Sequence, residues 1–107
     1  MRMGKVYFRD KFAGIIYEDD EGVHFKYDEE YLNQDKSKPV SLTLPLTNKI
    51  YSNKTMLPFF DGLIPEGWLL NIAEQNWKVN PRDRMGLLLV FCEDCIGAVS
   101  VVKDKDQ

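Results

Sequence analysis

The single histidine, His24, is the first residue in the 107-residue chain whose chemistry could indicate catalysis. A hydrolase would need this imidazole beside a nucleophile, but no Gly-x-Ser-x-Gly elbow is present. In the stretch 23–27, side chains alternate, so Val23, Phe25 and Tyr27 share one face and His24 lies on the other. We therefore expect His24 to be a surface histidine that faces water and takes no part in catalysis.

The two cysteines, Cys92 and Cys95, have CxxC spacing, which suggests zinc binding or thiol exchange. A closed zinc site needs four ligands, and beyond these thiols the chain offers only His24 and carboxylates. Redox motifs place the reactive thiol at a helix N-terminus, whereas these cysteines follow a helix predicted to start at Pro81. The spacing therefore favours two reduced structural thiols over an oxidoreductase, and we expect no metal.

Composition argues against a nucleotide, nucleic-acid or membrane ligand. The seven glycines are scattered singly, so no phosphate-binding loop is predicted, and we expect no cofactor and no enzymatic activity. With 14 basic and 17 acidic residues, a net charge of −3 does not attract DNA or anionic lipid. The longest apolar run, residues 87–92, is too short to span a bilayer, and we expect a cytoplasmic protein.

Trp68 is the residue that fits an interaction site best. It follows Pro65, Glu66 and Gly67 in the first turn of a predicted helix, four residues before Ile72 of that helix's apolar stripe. The spacing allows a core position, but an exposed tryptophan beside a glycine at a helix start is also typical of an interface hot spot. Both interpretations remain open, and we take residues 65–68 as the candidate partner-binding site.

The surrounding pattern predicts an α+β domain. Alternating apolar residues predict an antiparallel meander of three strands at 6–8, 12–17 and 23–27, with Asp28 capping a short helical turn. A short edge strand at 41–44 is expected to end at Pro45, and Pro58 to Gly62 reads as one helical turn. Further helices are predicted from Pro65 and, capped by Asn80, from Pro81, followed by a β-branched strand at 97–102.

These elements make a small antiparallel sheet, formed by the meander and a C-terminal strand, packed with two or three short helices. We expect one domain over residues 1–102 and a charged, disordered tail over 103–107.

The order of several short motifs resembles the N-terminal subdomain of HipA-like serine/threonine kinases, the toxins of bacterial toxin–antitoxin systems. The resemblance runs from about Val6 to Val102 and rests on three landmarks. They are Leu-Pro-Leu at 44–46, Phe-Phe-Asp-Gly-Leu-Ile-Pro-Glu-Gly at 59–67 and Asp-Cys-Ile-Gly-Ala at 94–98. HipA-like kinases continue into ATP-binding and catalytic parts, so the resemblance implies that this region alone is not an active kinase.

A freestanding domain of this kind resembles the HipS antitoxins of three-gene HipBST systems. That resemblance implies an antitoxin that docks on a short HipT-like kinase as its missing N-terminal subdomain, through residues 65–68, in a complex with a HipB-like DNA-binding protein. The alternative is an obligate accessory subunit that supports the activity of a split kinase.

Overall fold

In the computed structural model, described here for residues 2–64, 83–92 and 98–104, the chain forms one antiparallel sheet covered by helices on one face. The elements in chain order are β1 (Arg2–Phe8), β2 (Lys11–Asp19), β3 (Gly22–Tyr27), α1 (Glu29–Asn33), β4 (Tyr51–Asn53), α2 (Pro58–Asp61), α3 (Arg84–Phe91) and β5 (Val99–Lys103). Their arrangement confirms the α+β class.

The sheet has five strands in the order β4-β3-β2-β1-β5, and each neighbouring pair is antiparallel. The meander predicted from the alternating pattern forms β1 to β3, and the β-branched C-terminal stretch forms β5 beside β1. The turn between β2 and β3 depends on Gly22, whose φ of 136° suits glycine and whose added Cβ would collide with the Asn53 carbonyl. The sheet extends one residue beyond the predicted domain boundary at 102, because Lys103 belongs to β5.

The core lies between the helical face of the sheet and the helices. Val6, Ile16, Phe25 and Val101 contribute fully buried side chains from four strands, and Phe60 of α2 contacts Phe25 with 5.2 Å between ring centroids. Helix α3 adds four buried residues, Met85, Leu87, Leu88 and Leu89. Phe59 is only partly buried, so Phe60 alone of these two adjacent aromatics belongs to the buried core.

Both short helices start and stop where the sequence indicates. The Asp28 carboxylate accepts a hydrogen bond from Tyr31 N and so caps α1. Pro58 occupies the first turn of α2, and Gly62 is its C-terminal cap. Across the described residues, no helix combines the length and apolar character needed to cross a bilayer.

Two local predictions were wrong. Residues 41–44 form a turn rather than an edge strand, with Leu44 N donating to Ser41 O at 3.1 Å, and the sheet edge is instead β4. Helix α3 begins at Arg84 with Asp83 as its cap, later than the start predicted at Pro81, and Val90 of this helix is exposed. Asn80, Pro81 and the helix predicted from Pro65 lie outside the described residues.

The prediction that His24 faces water was also wrong, since only 7% of its surface is exposed. Its cross-strand neighbours are Tyr17 on β2 and Ser52 on β4, and the Tyr17 ring lies 4.9 Å from the imidazole. Alternation placed His24 on the correct face, opposite the core. These neighbours cover that face locally because β4 extends the sheet beside β3.

Candidate protein-interaction surface

The residues predicted to bind a partner, Pro65, Glu66, Gly67 and Trp68, lie outside the described residues. The chain that leads to them is well fixed as far as Ile64, which is 7% exposed. In α2 and just after it, Gly62 N donates to Pro58 O and Leu63 N to Phe60 O, both at 3.0 Å. The predicted contact segment therefore starts from a position held by the core.

Helix α3 also holds the end of α2 and the residues just after it, through two side-chain hydrogen bonds. The Arg84 guanidinium donates to the Asp61 carboxylate at 2.6 Å, and the Cys92 thiol donates to the Leu63 carbonyl at 3.4 Å. Cys92 is buried at the C-terminal cap of α3, the opposite helix end from the one where redox motifs place a reactive thiol. Cys95 lies outside the described residues. The described part of the CxxC motif is therefore used in packing α3 against the end of α2.

The start of α3 is fixed to the sheet by an ion pair. Two nitrogens of the Arg2 guanidinium donate to the Asp83 carboxylate at 2.5 and 2.7 Å, and its Nε donates to Glu18 Oε1 at 3.1 Å. Asp83 also accepts from Gly86 N at 3.1 Å, which caps the helix. The Arg2 hydrogen bonds lower the pKa of Asp83, so this carboxylate stays charged at neutral pH.

An open cleft of about 890 Å³ lies beside this ion pair, between the β2–β3 turn, the chain after β4 and the start of α3. Its charged lining holds five carboxylates against three cations, Arg2, Lys54 and Arg84. The carboxylates belong to Glu18, Asp19, Asp20, Glu21 and Asp83. A surplus of negative charge opposes phosphate binding, so the cleft does not have the chemistry of a nucleotide site.

His24 lies between a carboxylate and a hydroxyl, an arrangement that resembles a hydrolase triad. Its Nε2–H donates to Asp19 Oδ1 at 2.8 Å, and its Nδ1 is hydrogen-bonded to the Ser52 hydroxyl at 2.7 Å. The bond from His24 lowers the pKa of Asp19. No sequence motif indicates this group, because 28 residues separate His24 from Ser52.

A structural role suits this group better than catalysis. Ser52 lies in the middle of the edge strand β4, without the strained turn that exposes a nucleophile, and the cleft beside Asp19 is lined by neither His24 nor Ser52. The three side chains instead connect β4 to β3 and to the β2–β3 turn. Within the described residues, no group of three or more His, Cys, Asp and Glu side chains could hold a metal ion.

The surface best prepared for a partner is a loop that tyrosine hydroxyls hold in place, here called the tyrosine-anchored loop and defined as residues 38–51. The buried Tyr27 hydroxyl accepts from Val40 N at 3.0 Å and donates to the Leu44 carbonyl. Tyr31 donates to Lys38 O and Tyr51 to Pro45 O, both at 2.5 Å. Burial raises the pKa of Tyr27 to about 12, so its hydroxyl keeps its proton at neutral pH.

The side chains of this loop point in two directions. Val40 and Leu44 are buried, whereas Leu42 is 95% exposed, Ile50 49% and Leu46 37%. The Ser41 hydroxyl accepts from Thr43 N at 3.2 Å and so stabilises the turn that displays Leu42. The loop therefore has a fixed backbone and an apolar tip in water.

Comparison with known proteins gives one consistent family. A family model described as "HipA N-terminal domain" matches residues 4–102. An uncharacterized protein of Haemophilus influenzae is 32% identical over 105 residues, which cover 98% of this chain and 95% of that protein. A protein of Sinorhizobium fredii named "Putative kinase Y4mE" is 27% identical over 108 residues. The match takes in all of this chain and about a quarter of that relative, 26% of its length.

Solved structures agree with the sequence matches. A chain described as the N-terminal domain of HipA toxin superposes with a TM-score of 0.77 and 28% identity, covering 100% of this chain and 96% of that one. A chain from a Shewanella oneidensis structure described as a toxin–antitoxin complex of HipA, HipB and operator DNA gives a TM-score of 0.72 at 22% identity. This match covers 97% of the present chain and 24% of that one, and at this identity it supports the fold alone.

Proposed function

The chain belongs to the family of HipA N-terminal domains, and from that premise we propose that it binds a HipA-like serine/threonine kinase toxin of the HipT type and neutralises it. It docks on the kinase as the N-terminal domain which that kinase lacks. In this proposal the chain is an antitoxin of the HipS type and has no enzymatic activity of its own.

The proposal rests on how large a share of each of two relatives the matching domain makes up. In the Sinorhizobium fredii relative, named as a kinase, the matching region is 26% of the protein, so a domain of this family there accompanies a much larger remainder. In the Haemophilus influenzae relative, the same domain makes up 95% of the protein. The domain thus occurs both as part of a longer protein and as nearly a whole protein. A separate copy can therefore occupy the position of the N-terminal domain on a kinase that lacks one.

The proposed complex also contains a HipB-like DNA-binding protein. The Shewanella oneidensis structure holds HipA, HipB and operator DNA together, and the present chain would join such an assembly through the kinase. Its own charge of −3 does not favour direct contact with DNA. We place this complex in the cytoplasm, where the buried Cys92 thiol stays reduced.

For the contact near the active site we propose residues 65–68, with Trp68 as its centre. The sequence predicts a helix that starts at Pro65, with Glu66 near its positive end and with Gly67 leaving room for the indole to project. The flanking residues Ile64 and Asp83 are both tied to the fold, by burial and by the Arg2 ion pair respectively.

Substitution of Trp68 tests this contact. Trp68→Ala should leave the Tm nearly unchanged and weaken kinase binding by about 2–4 kcal/mol, as for central tryptophans at interfaces. A drop in Tm of many degrees, with binding lost only in proportion to unfolding, would assign Trp68 to the core instead.

The function itself is tested with a short HipA-like kinase that lacks this N-terminal domain. Autophosphorylation of the purified kinase and growth of cells that express it should be measured with and without this chain. An antitoxin lowers phosphorylation and restores growth. If the kinase is active only when this chain is present, the protein is an accessory subunit and the proposal is wrong. Calorimetric titration of the chain alone with Mg-ATP should show no binding.

A further inference from the structure

The tyrosine-anchored loop carries most of the large aliphatic side chains that the described residues expose. Within residues 2–64, 83–92 and 98–104, four large aliphatic side chains are exposed, and Leu42, Leu46 and Ile50 belong to this loop. The fourth, Val90, lies on α3. Single exposed leucines are common on protein surfaces, but three within nine residues of a fixed backbone form a concentration that the domain's own core does not use.

A wider segment around this loop, residues 36–60, has the opposite net charge to the rest of the chain. Residues 36–60 include four of the 14 basic residues and none of the 17 acidic ones, so the remainder has 10 basic against 17 acidic. All four basic side chains, Lys36, Lys38, Lys49 and Lys54, are exposed. Lysines therefore border the apolar tip in sequence. A partner with an apolar surface bordered by carboxylates would complement this loop in both hydrophobicity and charge.

We propose that the tyrosine-anchored loop is a second docking surface for the kinase, with Leu42 entering an apolar pocket whose border is acidic. This inference rests on the proposed function. An anionic bilayer is a poorer occupant, because the acidic remainder of the chain is repelled by it. A symmetric contact with a second copy is also poorer, since such a contact would bring the same lysines together.

The contact is made by side chains rather than by strand addition. Residues 41–44 form a turn, and the Leu44 and Pro45 carbonyls already accept hydrogen bonds from the Tyr27 and Tyr51 hydroxyls. These backbone groups are therefore not available to pair with a partner's strand. Because the hydroxyls fix the loop before binding, little conformational entropy is lost when Leu42 is buried.

The test compares Leu42→Ala with Val90→Ala, which truncates an exposed aliphatic side chain away from the loop. Kinase affinity is measured by calorimetry with a short HipA-like kinase that lacks this N-terminal domain, and Tm is measured for each variant. Leu42→Ala should weaken binding about tenfold or more and Val90→Ala less than about threefold, with neither lowering the Tm appreciably. Lys49→Glu should also weaken binding, and this loss should shrink at high salt.

Each result decides between distinct explanations. If the unmodified chain does not bind the kinase, the proposed function fails and this inference fails with it. If the unmodified chain binds and Leu42→Ala binds equally well, the loop proposal alone is wrong. Leu42-dependent binding to phosphatidylserine vesicles, or Leu42-dependent dimerisation in sedimentation, without an effect on the kinase would replace the kinase by a membrane or by a second copy.

Discussion

Removal of one buried hydroxyl, in Tyr27→Phe, tests how the tyrosine-anchored loop is held. The Tyr27 hydroxyl pairs with Val40 N and with the Leu44 carbonyl, and all three residues are buried. Phenylalanine keeps the ring packing, including the edge contact with Phe25 at 4.8 Å between centroids. The substitution therefore leaves a buried N–H and a buried C=O without this partner and changes little else.

The expected loss follows from the cost of buried polar groups without partners, which is about 1–3 kcal/mol each. Two such groups predict a loss of about 2–6 kcal/mol, from a total stability that for a protein of this size is about 5–15 kcal/mol. The Tm should fall by roughly 10 °C or more. Tyr51→Phe is the matched control, because its hydroxyl bonds Pro45 O at an exposed position and its loss should cost less than about 1 kcal/mol.

Thermal and urea unfolding followed by circular dichroism measure both variants. An alkaline series gives an independent check: burial raises the pKa of Tyr27 from 10.0 to about 12, so the folded state keeps the phenolic proton at a pH where the unfolded chain loses it. Stability should therefore fall as the pH rises from about 10 to about 12, and Tyr27→Phe should lack this contribution. If Tyr27→Phe is no less stable than Tyr51→Phe, the hydroxyl does not hold the loop and the preorganisation argument is refuted.

Three further predictions concern the core and the helix ends. Phe60→Ala should cost about 3–5 kcal/mol and Phe59→Ala clearly less, since only Phe60 is fully buried; equal shifts in urea midpoint would contradict the packing of α2. The Arg2 hydrogen bonds lower the pKa of Asp83 below its usual 3.8, so their stabilisation is present above that pH and is lost as the pH falls below it. Asp83→Asn retains a capping oxygen but should show a smaller fall in Tm between about pH 5 and about pH 2; an identical acid profile would rule out the ion pair as its source. Cys92→Ser should lower stability by about 1–3 kcal/mol, measured by urea unfolding, while kinase binding stays intact; loss of a bound zinc ion, seen by metal analysis, would contradict a structural thiol.

The sequence was informative where local pattern alone determines the structure. Alternation over the first 27 residues was sufficient for the meander, since a strand with one face on the core must alternate. Pro58 and Gly62 delimit α2 because their backbone preferences act without help from distant residues. Both signals are local, and neither needs tertiary context.

Elements that depend on distant partners could not be predicted in this way. Residues 41–44 have the composition of a strand, but Leu44 is buried and Leu42 exposed, because the Tyr27 hydroxyl binds the backbone that a strand would offer to a neighbour. Strand β4 contains the polar Ser52 and Asn53 and forms on the available edge of β3. The burial of His24 follows from that pairing. The tyrosine-anchored loop left one signal in the sequence, the absence of acidic residues from 36 to 60.

The place of β1 in the sheet determines when the fold can be completed during synthesis. This first strand is not an edge strand: it pairs with β2 on one side and with β5 on the other, which joins Val6 to Val101. Contacts so distant in sequence form slowly, and the β5 side of β1 stays unpaired until residue 103 has left the ribosome. An unpaired strand edge can pair with other chains, so the nascent chain is prone to aggregation until β5 docks. Early association with a partner or a chaperone would protect this edge, and the rate of β5 docking should limit the yield of folded protein.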